Sequence, residues 1–147
     1  MSQQNVTAMR RLYDAFNKGD LDTIEAGYHP KIEWNEAENF IYADRNPYQG
    51  FPAIRDGVFN RAVNDFDGFR VEVDQLLDAG DKVVATGRYR GTCKATGKEL
   101  SNQFAHIMTL DEGGKVTNFQ QYADTLHAAE VTGLATRTKA KAELETA

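Results

Sequence analysis

Glu36 stands two residues after Trp34, at the end of the short alternating run Ile32-Glu33-Trp34-Asn35-Glu36. A carboxyl desolvated beside an indole resists ionisation, and the raised pKa suits proton abstraction next to a carbonyl. The competing possibility is a solvated loop glutamate, since Glu33 and Glu38 are close by. His106 is a second candidate. Phe104, His106, Met108 and Leu110 share one strand face by period two, and the other three are apolar, so that face turns inward to core or pocket. An imidazole there can donate to a substrate oxygen, act as acid or base, or simply be tied to a neighbouring polar group. Gln121 shares an inward face with Phe119 and Ala123. Its amide can orient a ligand or a water but cannot take a proton. Arg88 is less fixed. Strict alternation puts Thr86, Arg88 and Arg90 opposite Val83, Ala85, Gly87 and Tyr89. A bulge near Gly87 would reverse that register, which leaves pocket, dimer interface and water all open for Arg88. Asp124 is expected to pair with an arginine. His29 and His127 are expected at helix ends, facing water.

These residues need elements to hold them. Val6, Met9, Tyr13 and Phe16 recur at spacings of three and four, which predicts a first helix ending at Lys18-Gly19. Asp20 can cap a second short helix carrying Leu21, Ile24 and Tyr28, stopped by Pro30. Residues 37–50 read as a polar-aromatic loop. Pro52 suits the first turn of a third helix with Ile54, Val58, Phe59, Ala62, Val63 and Phe66 on its apolar face, weakened slightly by Gly57. From Phe69 the period becomes two. Four runs joined by short Gly- and Asp-bearing turns predict an antiparallel meander ending near Ala123. Helices segregated from an antiparallel sheet indicate the α+β class. Residues 1–125 form the expected domain. The tail, 126–147, reads as a loosely docked helix or a frayed end, with Leu126, Val131, Leu134 and Leu144 as its few apolar anchors.

The chain has 147 residues, is 41% hydrophobic and 27% charged, and carries a net charge of -5. That size supports one core without disulfides or metals. The acidic balance argues against nucleic acid and against an anionic membrane as partners. Cys93 is the only cysteine and Met1-Ser2-Gln3-Gln4-Asn5 is polar, so a cytoplasmic location is expected. The three histidines and Cys93 lack metal-ligand spacing. No Gly-rich phosphate loop and no nucleophile-elbow serine is present, and no cofactor is expected.

The element order, with Phe16-Asn17-Lys18-Gly19-Asp20-Leu21-Asp22 closing the first helix, resembles the nuclear transport factor 2-like superfamily. The runs Gly87-Arg88-Tyr89-Arg90-Gly91, Thr96-Gly97-Lys98, Ala105-His106, Gly114-Lys115-Val116 and Tyr122-Ala123-Asp124-Thr125 are similar to its SnoaL-like members. The resemblance spans about residues 5–125. It implies a cone, in which a bent sheet wraps a helix and leaves a pocket at its open end, and a homodimer through the outer sheet face. The same scaffold hosts isomerases, cyclases, hydrolases, dehydratases and non-catalytic modules.

On the steroid-isomerase branch, Glu36 matches the carboxylate that moves a proton between carbons. The oxyanion-donating tyrosine of that branch corresponds to Leu12. Tyr13 is one place off, roughly 100° around the helix, which predicts a poor substitute. The acid partner corresponds to His106. On the limonene epoxide hydrolase branch, Gln121 replaces a catalytic Asp, Arg88 keeps the Arg, and Arg90 replaces the second acid, so that chemistry is disfavoured. The expectation is a cofactor-free proton-transfer enzyme for a small apolar carbonyl-bearing molecule. Glu36, His106, Gln121 and Arg88 are its candidate catalytic residues. Tyr28, Trp34, Tyr42, Phe59, Phe66, Met108 and Phe119 would shape its cavity. The alternative is a non-catalytic homodimeric ligand-binding or assembly module of the same fold.

Overall fold

The computed structural model describes residues 2–136. Expectations for the end of the tail, including Leu144 as an anchor, lie outside the described residues.

Helix α1 (Ser2–Lys18) buries Val6, Met9, Leu12 and Ala15. Gly19 closes it at φ 74°, a left-handed conformation that a Cβ would disfavour. Asp20 then caps α2 (Leu21–Gly27), its carboxylate accepting from Thr23 N at 3.1 Å. Pro30 does not end that helix. The chain turns at Tyr28 straight into β1 (Tyr28–Asn35), which includes Pro30. The pairing of β1 with its neighbour is interrupted between Tyr28 and Glu33, so the missing N–H costs no ladder bond.

After β1 comes a loop with one 3₁₀ turn (Ala43–Arg45), then β2 (Tyr48–Gln49). The expected third helix is three pieces in series: α3 (Phe51–Ile54), a wide π-turn (Arg55–Phe59) and α4 (Asn60–Asp65). Strands β3 (Phe66–Ala79), β4 (Lys82–Cys93), β5 (Glu99–Leu110) and β6 (Val116–Ala123) form the antiparallel meander. One six-stranded sheet results, in the order β2-β1-β6-β5-β4-β3. Its one parallel pair is β1 with β6, where Trp34 lies opposite Phe119. The protein is thus an α+β fold with a curved open sheet whose inner face packs on the helices.

Two register breaks sit on β3, between Asp67 and Arg70 and between Val73 and Gln75. The second lies opposite Gly87, but the extra residue belongs to β3. Alternation along β4 is therefore unbroken, and Arg88 stays on the outer face. A Cβ on Gly87 would lie 2.1 Å from Glu72 O, so the bulged strand occupies the space a side chain would need. Helix α5 (Thr125–Val131) docks by Ala128 and Val131, with Thr96 Oγ1 donating to Val131 O at 2.6 Å. Leu126 and Leu134 are exposed rather than anchoring. Asp124 pairs with no described arginine; it caps α5, accepting from His127 N at 3.1 Å. His127 does not simply face water, because its Nε2 accepts from Ser101 N at 3.0 Å. No described helix is long and apolar enough to cross a membrane.

Candidate functional site

The inner face of the sheet and the helices enclose a cavity whose walls are almost wholly apolar. Met9, Phe16, Trp34, Phe59, Met108 and Phe119 are among its lining residues. The cavity volume is about 70 Å³. One water needs ~10–15 Å³ by the same measure, so the space admits several waters or one small organic molecule. Among the described lining residues, polar side-chain atoms belong to Glu36, Tyr13, Tyr89, His106 and Gln121, and also to Tyr28, Trp34 and Tyr42.

Glu36 follows the last residue of β1 and is 2% exposed. Its backbone is clamped from both sides by Asn46, whose Oδ1 accepts from Glu36 N at 3.0 Å and whose Nδ2 donates to Glu36 O at 2.8 Å. Trp34 Nε1 donates to Oε2 at 3.3 Å. Among the described residues no donor holds the other carboxyl oxygen. Burial pushes the Glu36 pKa up to about 8, against smaller opposing effects from the Trp34 hydrogen bond and the Arg61 charge. The indole is itself fixed, stacking on Phe119 with centroids 3.5 Å apart and planes 10° from parallel.

His106 and Gln121 are direct cross-strand partners on β5 and β6, which is why both face the cavity. Gln121 Oε1 accepts from Ala37 N at 3.0 Å, and Nε2 donates to the Tyr89 hydroxyl at 2.8 Å. That hydroxyl lies 2.5 Å from His106 Nε2. On the other side of the ring, the Tyr13 hydroxyl lies 2.7 Å from Nδ1 and donates to Met108 Sδ at 3.6 Å. Desolvation lowers the His106 pKa to about 3, so the ring is neutral across the physiological range. Desolvation also holds the Tyr13 and Tyr89 hydroxyls well above the usual phenol range, and the nearby Glu36 charge adds to this for Tyr89. Both therefore remain hydrogen-bond donors.

Of the residues singled out from sequence, Glu36, His106 and Gln121 share the cavity with Tyr28, Trp34, Tyr42, Phe59, Phe66, Met108 and Phe119. Arg88 does not. It is exposed on the outer face, its Nη1 donating to Ser101 O at 3.3 Å. The expectation that Tyr13 points away is also corrected. Tyr13 lies on the same three-and-four stripe as Met9 and Phe16, and its long side chain carries the hydroxyl to His106. Tyr89 was legible as inward-facing but carried no signal of a role, and Asn46 carried none at all. Among the described residues, no group of three or more His, Cys, Asp or Glu is placed to hold a metal.

A carboxyl of intermediate pKa on one part of an apolar wall, with neutral O–H donors on another, can pass a proton at carbon while a neighbouring oxygen is held.

A family model described as a SnoaL-like domain matches residues 9–119. Among solved structures, an NTF2-like protein from Burkholderia thailandensis is 35% identical, with a TM-score of 0.80 over 86% of this chain and 95% of that one. A candidate SnoaL-like polyketide cyclase from Jannaschia is similar in fold, at 19% identity and TM-score 0.76 over 91% and 94% of the two chains. So is a protein of ketosteroid isomerase-like fold from Catenulispora acidiphila, in complex with trimethylamine, at 18% identity and TM-score 0.71 over 92% and 96%. No curated protein matches the sequence.

Proposed function

We propose, from the premise that this chain belongs to the SnoaL-like domain family, that it is a cofactor-free enzyme moving a proton on a small, largely apolar carbonyl compound. The observation that carries the reading is the buried Glu36 carboxyl, with its pKa of about 8, on the wall of an otherwise apolar cavity that also receives the His106 cluster. As carboxylate, Glu36 takes a proton from the carbon next to the carbonyl. The electron pair moves onto oxygen, and an O–H donor of the cluster stabilises the enolate. Glu36, now the acid, returns the proton at a second carbon for isomerisation. In an aldol-type cyclisation the enolate carbon instead bonds a second carbonyl, and the new alkoxide takes the proton. In a dehydration the enolate expels a β-hydroxyl, which leaves as water with that proton. A cytoplasmic setting fits the single, buried Cys93.

Hydrogen–deuterium exchange of 2-tetralone in D₂O, followed by NMR, tests the base. Glu36→Gln is expected to slow exchange ~10²–10⁴-fold, the usual worth of a positioned base. The wild-type rate is expected to rise with pH and level off above about 8. Unchanged exchange in the variant removes Glu36 as the base.

A non-catalytic ligand-binding module is the second reading, and one observation favours it: both ring nitrogens of His106 are already taken by protein hydroxyls. Thermal stabilisation by 2-tetralone with no exchange above background would select it. Either way, the proposed assembly is a homodimer through the outer sheet face. That face carries both signs of charge, Glu72, Asp74 and Asp124 beside Arg88 and Arg90, around the exposed Tyr122. A two-fold axis can set opposite charges against each other there.

A further inference from the structure

The hydrogen-bonded side chains on the cavity wall form one continuous line, and its direction can be worked out by finding an acceptor for every hydroxyl and ring proton. Ala37 N–H is a donor only, so the Gln121 atom facing it must be the amide oxygen. The Gln121 NH₂ therefore donates to the Tyr89 oxygen. His106, being neutral, has one protonated nitrogen and one bare nitrogen. Suppose the proton sits on Nε2. The Tyr89 oxygen then accepts from both Gln121 and His106, and the Tyr89 proton has no acceptor among the described residues, a costly state for a buried hydroxyl. Suppose instead it sits on Nδ1. Tyr89 O–H then donates to Nε2 at 2.5 Å, Nδ1–H donates to the Tyr13 oxygen at 2.7 Å, and Tyr13 O–H donates to Met108 Sδ at 3.6 Å. Every hydroxyl and ring proton then has an acceptor, and every bond points the same way; the second N–H of the Gln121 amide lies outside this line.

The last bond is the weak one. A thioether sulfur is a poor acceptor, and this one belongs to a fully buried residue of the cavity wall. The other acceptors in the line are an amide oxygen, a phenol oxygen, a bare imidazole nitrogen and a second phenol oxygen. Of the hydroxyl and ring protons, only that of Tyr13 is parked on an atom that a carbonyl oxygen would readily replace. We infer that Tyr13 is the residue whose hydroxyl contacts the substrate oxygen, with His106, Tyr89 and Gln121 as positioning residues that orient and polarise it from behind. The inference rests on the proposed carbonyl chemistry for the nature of the acceptor, and names a donor other than the imidazole or the Gln121 amide. Aligned hydrogen bonds polarise one another, so the relay strengthens Tyr13 as a donor while consuming every other hydroxyl and ring proton in the line.

The test has two arms. In the ligand-free protein, ¹⁵N NMR of the imidazoles is expected to show His106 with its proton on Nδ1, and Tyr89→Phe, which removes the donor to Nε2, is expected to move it toward the Nε2–H form. An Nε2–H ring in the wild type overturns the direction of the relay and the inference with it. In the second arm, infrared difference spectra are taken with carbonyl-¹³C 2-tetralone. Its C=O stretch is expected at lower frequency in the wild type than in Tyr13→Phe. Replacement of Tyr13 by 3-fluorotyrosine, a more acidic donor of nearly the same shape, is expected to lower it further; this covers the case in which Tyr13→Phe fails to fold. A stretch that does not respond to either change at Tyr13 overturns the inference, whether or not the ketone binds. A Tyr13-dependent shift alongside exchange that ignores Glu36→Gln would sink the base while leaving the donor standing. Exchange that needs Glu36 with no Tyr13-dependent shift would do the reverse.

Discussion

Glu36 and His106 are buried titratable groups whose effects on stability have opposite signs. Glu36 has a folded pKa of about 8 against 4.5 for the free side chain. Its folded form holds a proton that the unfolded chain has lost, so its stabilising effect is complete below about 4.5 and disappears as pH rises through about 8. His106 has a folded pKa of about 3 against 6.5. There the unfolded chain holds the extra proton, so stability falls as pH drops from about 6.5 toward 3. Each slope is about 1.4 kcal/mol per pH unit, and between 4.5 and 6.5 they cancel. Urea denaturation across this range is expected to give a plateau, an alkaline limb that Glu36→Gln flattens, and an acid limb that the same variant extends up to about 6.5, because nothing then cancels the His106 slope. An alkaline limb that persists in Glu36→Gln would place its origin elsewhere. His106 and Gln121 could be read from sequence because strand faces have a period of two and a polar residue in an apolar row stands out; Glu36 was singled out by its place beside Trp34, with a solvated loop left open. Tyr13 could not be assigned in the same way. Its hydroxyl reaches His106 through side-chain length and helix placement, neither of which helical angle alone supplies.

The segment between β2 and β3 explains a glycine that looked like a weakness. Gly57 sits in the π-turn, and a Cβ there would lie 2.2 Å from Tyr48 Cε1. The Tyr48 ring is 2% exposed, and its hydroxyl is fixed on Tyr42 O at 2.5 Å, so it has nowhere to move. Helix propensity alone would predict that Gly57→Ala stabilises by up to ~1 kcal/mol. The close approach predicts the reverse, a loss of about 1–3 kcal/mol from overpacking, measurable as a lowered urea midpoint. A raised midpoint would mean that the ring yields. The meander was legible because turns and alternation are local signals. The parallel pairing of β1 with β6 was not, since it joins residues some 85 positions apart (Trp34 with Phe119) and depends on how the whole sheet closes. The bulge on β3 was equally hidden. It changes which strand carries the extra residue, and with that it decides the side on which Arg88 lies.

For the whole molecule, the curved sheet separates two environments. The inner face holds an almost wholly apolar cavity with Glu36 and one line of polar groups; the outer face is charged and carries an exposed tyrosine. The proposed homodimer uses only the outer one. Tyr122→Arg, 54% exposed in the single chain, is expected to shift the protein from dimer to monomer by light scattering while leaving the urea midpoint of the monomer nearly unchanged. A wild type that is monomeric at high micromolar concentration would reject that assembly. The α+β class was readable from element order because helices and strands are segregated along the chain. The enclosed volume was not, because it depends on how large side chains from distant elements meet.

The chain has a single tryptophan, and that indole donates directly to Glu36 while stacked on Phe119. A protonated carboxyl quenches an adjacent indole more strongly than a carboxylate does. Trp34 emission is thus a built-in optical gauge of the Glu36 proton, free of interference from any other indole. The protein announces the ionisation state of its proposed base as light, before any ligand is added.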